Sequence, residues 1–326
     1  MIEGDPNFHR IGGRSVLDRD DARFREYRRR WKEWPEHCAV GEFPLHLDIE
    51  ATNACNLRCP FCATTYNRYR RGFMSGGTWK AILDEAARNE LSSLKFTFRG
   101  EPLLHPDLAR MVKEAKQAGV LDVYFNTNAV RLTEPVIREL VDAGLDRMSI
   151  SFEGTEKDLY ERCRVGSSYE LVLGNIANLK RIRDELGSRK PLIRVQTVLI
   201  PELRGREDEY SRFWESRADE VACLDMMDEA GNPDHRGIIS PWACHQLFQR
   251  MTITWDGVIL PCVHDIHELQ ALGGIPRVSI RDAWLGEQES RYREKHCSGR
   301  AHDLSACDRC AYRAMEIRKL AGGKGG

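Results

Sequence analysis

The stretch Cys55-Asn56-Leu57-Arg58-Cys59-Pro60-Phe61-Cys62 decides how the chain is read. It places three cysteines at C-x3-C-x2-C, one thiolate fewer than a cubane iron–sulfur cluster needs. A cluster held by three protein ligands leaves one iron open to bind and activate a small molecule. Zinc is the competing reading, but structural zinc sites favour paired knuckles and four ligands. A disulfide fits less well, because three neighbouring cysteines cannot all pair.

The 326 residues allow one large domain, or a large domain with a small appendage. Hydrophobic residues make up 41%, enough for a substantial core, and the formal net charge is -1. Such a balance offers no electrostatic footprint for nucleic acid or an anionic membrane. No apolar run reaches the ~18 residues of a membrane span, and Met1 to Arg14 lacks the apolar centre of a signal peptide. The expected location is the cytoplasm, where thiols stay reduced. Eleven cysteines there point to metal or catalysis rather than to disulfides.

The charged N-terminal segment, residues 1–43, is expected to be helical from Asp18 to Trp34, a solvated helix or a basic docking patch. From Pro44 onward strand-like and helical patterns alternate. Strands are expected at Leu45–Thr52, Leu94–Arg99, Asp122–Asn128, Arg147–Glu153, Ile193–Ile200 and Val221–Met227. Amphipathic helices fall at Thr78–Leu91, Asp107–Ala118, Glu134–Ala143, Tyr169–Leu186 and Glu207–Ser216, with Gly119 and Gly144 at C-cap positions. Six strand–helix units argue for an α/β fold with a parallel sheet and right-handed crossovers, too few units to close an eight-fold barrel.

One strand face is polar at period two: Asp48 and Glu50, Thr97 and Arg99, Asn126 and Asn128, Ser149, Ser151 and Glu153, and Gln196. With Ile49, Phe96, Phe125, Ile150 and Phe152 under the helices, this polar set lines the interior. The expectation is an open, ligand-filled cavity; a water-filled or salt-bridged interior is the alternative. Asp225 falls near this face at the end of the sixth strand.

Past the sixth unit, Cys244 precedes Trp255-Asp256-Gly257, a hairpin turn signal, which leads to Cys262 and then Cys307-Asp308-Arg309-Cys310. Four cysteines make a closed site that zinc or an iron–sulfur cluster would fill equally well. Cys38, Cys163, Cys223 and Cys297 remain, each expected as a small buried hydrophobe. Cys163 and Cys223 also fall near the expected mouth or last strand, where a thiol could donate a hydrogen atom.

The run C-x3-C-x-F-C resembles the signature of the radical S-adenosylmethionine (SAM) enzymes, with Phe61 in the aromatic slot. The resemblance implies a partial (βα)6 TIM-like barrel over residues 44–238. SAM's amino and carboxylate groups would chelate the open iron of a [4Fe-4S] cluster on Cys55, Cys59 and Cys62. Arg99-Gly100-Glu101-Pro102 is similar to the family's G-G-E-P motif, which places Gly100 and Glu101 at the ammonium of SAM. Asn126-Thr127-Asn128 and Ser151-Phe152-Glu153-Gly154 are similar to its later SAM-binding elements, although Glu153 stands where Asp is usual. Arg162 or Arg164 would pair with the SAM carboxylate, and Val198 would touch adenine. C…G-x4-C…C-x2-C resembles the twitch domain, the short SPASM appendage, over residues 239–326. It implies a second [4Fe-4S] cluster on Cys244, Cys262, Cys307 and Cys310.

The resemblance implies that a 5′-deoxyadenosyl radical removes a hydrogen atom from an unactivated C–H. The expected reaction is oxidation of a carbinol to a ketone, with the auxiliary cluster taking the second electron. Asp48, Glu50, Glu153 and Asp225 would hold a sugar or aminocyclitol, and flavodoxin or ferredoxin would donate electrons. Epimerisation quenched by Cys163 or Cys223, and peptide modification, are the alternatives.

Overall fold

A computed structural model describes residues 8–322 apart from 14, 16, 18, 68 and 228–235. Its strands are β1 (Phe8–Gly13), β2 (His46–Ile49), β3 (Ser93–Lys95), β4 (Asp122–Thr127), β5 (Arg147–Ser151), β6 (Leu192–Leu199), β7 (Glu220–Asp225), β8 (Arg250–Ile253), β9 (Val258–Leu260) and β10 (Gly273–Gly274). They form one sheet in the order β1-β7-β6-β5-β4-β3-β2-β8-β9-β10. The six strands β2 to β7 run parallel, the expected α/β partial barrel.

The helices are α1 (Ala22–Glu36), α2 (Ala63–Tyr66), α3 (Gly76–Arg88), α4 (Leu108–Gln117), α5 (Glu134–Asp142), α6 (Lys157–Cys163), α7 (Tyr169–Glu185), α8 (Glu207–Trp214), α9 (Gln246–Gln249), α10 (Ile280–Leu285), α11 (Glu287–Cys297), α12 (Ser305–Asp308) and α13 (Ala311–Gly322). No helix among the described residues is long and apolar enough to cross a membrane.

Alternation along the strands separates two environments. Outward positions Ile49, Phe96, Phe125, Ile150 and Phe152 pack with Ile82, Met111, Ile137 and Ile176 of the helices in one core. Fully burying such a side chain stabilises by about 1.5–3 kcal/mol.

The lower inward positions carry charges, and here the expectation of an open cavity is corrected. Arg147 donates to Asp122 at 2.7 Å and Arg19 to the same carboxylate at 2.6 Å. Arg194 donates to Glu220 at 2.9 Å, and Arg250 to Asp48 at 3.3 Å. Asp48 also lies 3.4 Å from His46 and 3.8 Å from Lys95, and it is wholly buried. The barrel floor is a salt-bridged plug, and Asp48 has no access to a substrate.

Helix α1 seals that floor. Asp21 caps it by accepting from Phe24 N, and Phe24, Tyr27 and Trp31 recur along one face and are buried. Trp31 sits edge-on to His46, under the Arg250 guanidinium. Asp18, the expected start of this helix, lies outside the described residues. Strand β1 was not expected; it lies antiparallel on the β7 edge.

The second cysteine segment continues the sheet. Strand β8 runs parallel to β2, and β9 returns through the expected turn, where Gly257 at φ +90 donates to Thr254 O. Cys38 and Cys297 form a disulfide across 259 residues, tying the end of α1 to the end of α11. That corrects the expectation of two free thiols: neither spacing nor composition shows that these two positions meet in space.

Candidate functional site

The loop after β2 carries Cys55, Cys59 and Cys62 to the top of the barrel. Gly100 holds this loop in place. At φ +77, a Cβ there would stand 2.4 Å from Thr52 O and 2.7 Å from Ala54 O. Only glycine lets the end of the β3 unit press so closely against the backbone leading into Cys55. Glu101 N donates to Ala54 O at 2.8 Å, a second tie to the same loop.

The Glu101 carboxylate is committed to protein. It accepts from Thr127 Oγ1 (2.6 Å), Asn128 N (2.7 Å) and Leu103 N (3.1 Å), and the residue is buried. It braces the end of β4 against the end of the β3 unit. Asn128 in turn donates to Asn56 Oδ1 at 3.0 Å, inside the cysteine loop.

Of the two candidate arginines, the structure brings Arg164 to the site and leaves Arg162 exposed. Arg164 forms a bidentate pair with Glu153 and points Nη1 at Cys59 Sγ, 3.7 Å away. Burial pushes the Cys59 thiol up to about 11, with Arg164 opposing the shift. Thiols this reluctant to ionise in isolation are deprotonated by a metal that coordinates them.

Strand register defines the mouth. Asn126, Ser151 and Val198 are inward, in the layer above the plug, and half-buried. Asn126 Oδ1 and Gln196 Oε1 are buried without a hydrogen-bond partner. Orphaned acceptors on one inward face suit a ligand that brings hydroxyl or amino donors.

Four other candidates fall elsewhere. Glu50 is wholly buried and bound by Arg99 Nε (2.7 Å) and Nη2 (3.0 Å), while Trp255 N also donates to it. The negative charges of Glu50 and Glu153 are therefore met by arginines and not left for a cationic substrate. Asp225 alternates onto the outward face of β7 and is held by His9 (3.1 Å) and Lys319 (2.6 Å). Cys223 shares that outward parity and packs with Cys163, Leu159, Leu199, Ile200 and Leu203. Burial pushes the Cys163 and Cys223 thiols up to about 11 and about 12. Both pack in one apolar cluster, Cys223 on the outward face of β7 and Cys163 at the end of α6, with Phe61 and Val198 against it.

The second site gathers Cys244 before α9, Cys262 after β9, and Cys307 and Cys310 around α12. Burial raises the pKa of Cys244, Cys262 and Cys307, and the sulfurs disfavour one another's ionisation across the group. Among the described residues no three Cys, His, Asp or Glu side chains are arranged to hold a single metal ion.

Around these cysteines lies a shell that sequence reasoning missed. His296 accepts from Cys244 N (3.1 Å) and lies 3.3 Å from Cys307 Sγ. Tyr312 stacks on His264 at 4.3 Å, and its hydroxyl lies 2.7 Å from His245 Nε2. The loop after β9 then reaches the barrel mouth, where Ile266 O accepts from Tyr69 (3.1 Å) and Arg99 (3.3 Å). A cavity of about 170 Å³ lies along this loop, lined by His264, Ile266, His267, Arg309, Cys310 and Tyr312. The mouth and the second cysteine site are thus joined by one short segment.

Residues 49–201 match the radical SAM superfamily, and residues 244–311 match the SPASM iron–sulfur cluster-binding domain. The chain is 25% identical over 297 residues to the tungsten-containing aldehyde ferredoxin oxidoreductase cofactor-modifying protein of Pyrococcus furiosus, covering 76% of this chain and 83% of that protein. It is 39% identical over 123 residues to the PqqA peptide cyclase of Bradyrhizobium diazoefficiens, covering 36% of this chain and only 31% of the cyclase. Its fold is similar to that of BtrN, solved with AdoMet and 2-DOIA, at TM-score 0.57 and 19% identity, covering 81% of this chain and 92% of BtrN.

Proposed function

Because the chain joins a radical SAM domain to a SPASM iron–sulfur domain, we propose that it oxidises a carbinol carbon of a sugar or aminocyclitol to a ketone. SAM and the first [4Fe-4S] cluster supply, when bound, a radical able to remove a hydrogen atom, and the auxiliary cluster supplies a one-electron acceptor. Cys55, Cys59 and Cys62 would hold the first cluster, and Arg164, 3.7 Å from Cys59 Sγ, would be the cation available to the SAM carboxylate. Gly100 and Glu101 fix the cysteine loop, so their contribution to SAM binding runs through the backbone they position. Asn126 and Ser151, and behind them Gln196, meet the polar groups of the ligand, and Val198 offers an apolar surface to adenine.

The observation that carries this reading is the closed donor set at the second site. Four cysteines, Cys244, Cys262, Cys307 and Cys310, gather there. They leave no position for substrate, so the site is fitted to electron transfer rather than to binding. With both groups bound, Cys55, Cys59 and Cys62 would hold the one that supplies hydrogen-atom removal, and Cys244, Cys262, Cys307 and Cys310 the one that would take the second electron, the hydroxyl proton leaving to solvent. Both candidate thiols sit in an apolar cluster with raised pKa, which supports oxidation over epimerisation. The likeness to BtrN, solved with AdoMet and 2-DOIA, supports a small-molecule substrate, and flavodoxin or ferredoxin fits as the donor of the first electron.

Peptide modification is the second reading, favoured by the similarity to PqqA peptide cyclase over 123 residues. An anaerobic assay of aminosugars, cyclitols and peptides, scored by 5′-deoxyadenosine release and product mass, separates the two. Oxidation gives a small-molecule product lighter by two hydrogens; turnover with peptides alone would overturn the first reading.

A further inference from the structure

We propose that His296 sets the reduction potential of the auxiliary cluster by donating its Nε2–H to the sulfur of Cys307. The inference rests on the reading of the four cysteines as cluster ligands. The imidazole is 1% exposed, in the last turn of α11, and it spans two of those ligands. Cys244 N donates to Nδ1 at 3.1 Å, so Nδ1 must offer its lone pair. A neutral ring with an accepting Nδ1 carries its proton on Nε2, and Nε2 lies 3.3 Å from Cys307 Sγ.

Hydrogen bonds to cluster sulfurs are among the levers that set potential. An N–H aimed at a ligand sulfur stabilises the electron added on reduction, so this donor makes the cluster a readier acceptor. Gln270 Nε2 approaches the same sulfur only to 4.0 Å, which leaves His296 as the closer of these two donors. The ring is held from both sides: Cys297, the next residue, is bridged to Cys38, and Arg300 N closes the helix end on Lys295 O at 2.7 Å. His296 is therefore a positioning residue for the second electron.

The test uses the full chain with Cys55, Cys59 and Cys62 changed to alanine, which keeps only the second site, titrated anaerobically and followed by electron paramagnetic resonance. His296→Asn keeps an acceptor for Cys244 N but falls short of the sulfur. It should retain about four irons and shift to a more negative midpoint potential. His296→Gln places an amide N–H near the sulfur and should stay close to the parent. An Asn variant at the parent's potential, or a Gln variant shifted as far as Asn, would overturn the proposal. Loss of iron from both would also overturn it, making the ring a structural brace alone. Zinc in the parent protein would instead sink the cluster reading itself.

Discussion

The Arg99 guanidinium grips the Glu50 carboxylate through two nitrogens, at 2.7 and 3.0 Å, with both side chains buried. Arg99 stands where the resembling motif has glycine, and this pair accounts for the departure. The same guanidinium reaches Glu268 at 2.8 Å and Ile266 O at 3.3 Å, and it lies 4.4 Å from the Tyr69 ring. It thus ties the β2 and β3 ends to the loop that leads back to the second cysteine site.

Removing this grip should be costly. Arg99→Ala leaves Glu50 buried without its cation, which destabilises by about 3–5 kcal/mol. Adding Glu50→Gln should recover part of the loss, because the orphaned charge is then gone. Denaturant unfolding of the two variants measures it; equal stability of wild type and Arg99→Ala would show the pair to be incidental.

Glu101→Ala should weaken SAM binding and lower stability together, since the carboxylate holds Thr127, Asn128 and Leu103. Three donors lose one acceptor, and a hydrogen bond to a charged group contributes about 1.5–3 kcal/mol. Iron content should be unchanged. A variant that loses SAM affinity at full stability would place the carboxylate on the ligand instead.

Cys163→Ala and Cys223→Ala should turn over like wild type, giving the same ketone and no solvent deuterium at the reacting carbon in heavy water. Each deletes a group from an apolar cluster and should cost roughly 1 kcal/mol of stability. Deuterium incorporation in wild type, abolished by either change, would restore the hydrogen-donor role.

The floor of the barrel should make stability fall on mild acidification. Burial holds His46 down to about 4 from its ordinary 6.5. Below about 6.5 the unfolded chain takes up a proton that the folded one refuses, so this contribution is full above that pH. It declines as the pH drops from 6.5 towards 4. His46→Asn should flatten that part of the stability curve; an unchanged slope would assign the acid sensitivity elsewhere.

Much of this was legible because it is written in short-range patterns. C-x3-C-x2-C, the period-two strands and the Trp255-Asp256-Gly257 turn each need only neighbouring residues. The inward polarity was visible too, but not its partners: Arg147 lies 25 residues from Asp122, and Arg250 lies 202 from Asp48. Period two can show that a face is polar, not whether it is open or salt-bridged. Strand β1 ends in Gly12-Gly13 and lacks alternation, and α6 is only seven residues long. The Cys38–Cys297 bridge and His296 depend on how the two ends of the chain meet, which no local pattern encodes.

Iron stoichiometry tests the central claim, a closed electron-accepting cluster beside a radical SAM barrel, most directly. Anaerobically reconstituted wild type should bind about eight irons, and the Cys55/Cys59/Cys62 triple alanine variant about four, with SAM cleavage lost. A wild type holding only four irons, with zinc on Cys244, Cys262, Cys307 and Cys310, would contradict it.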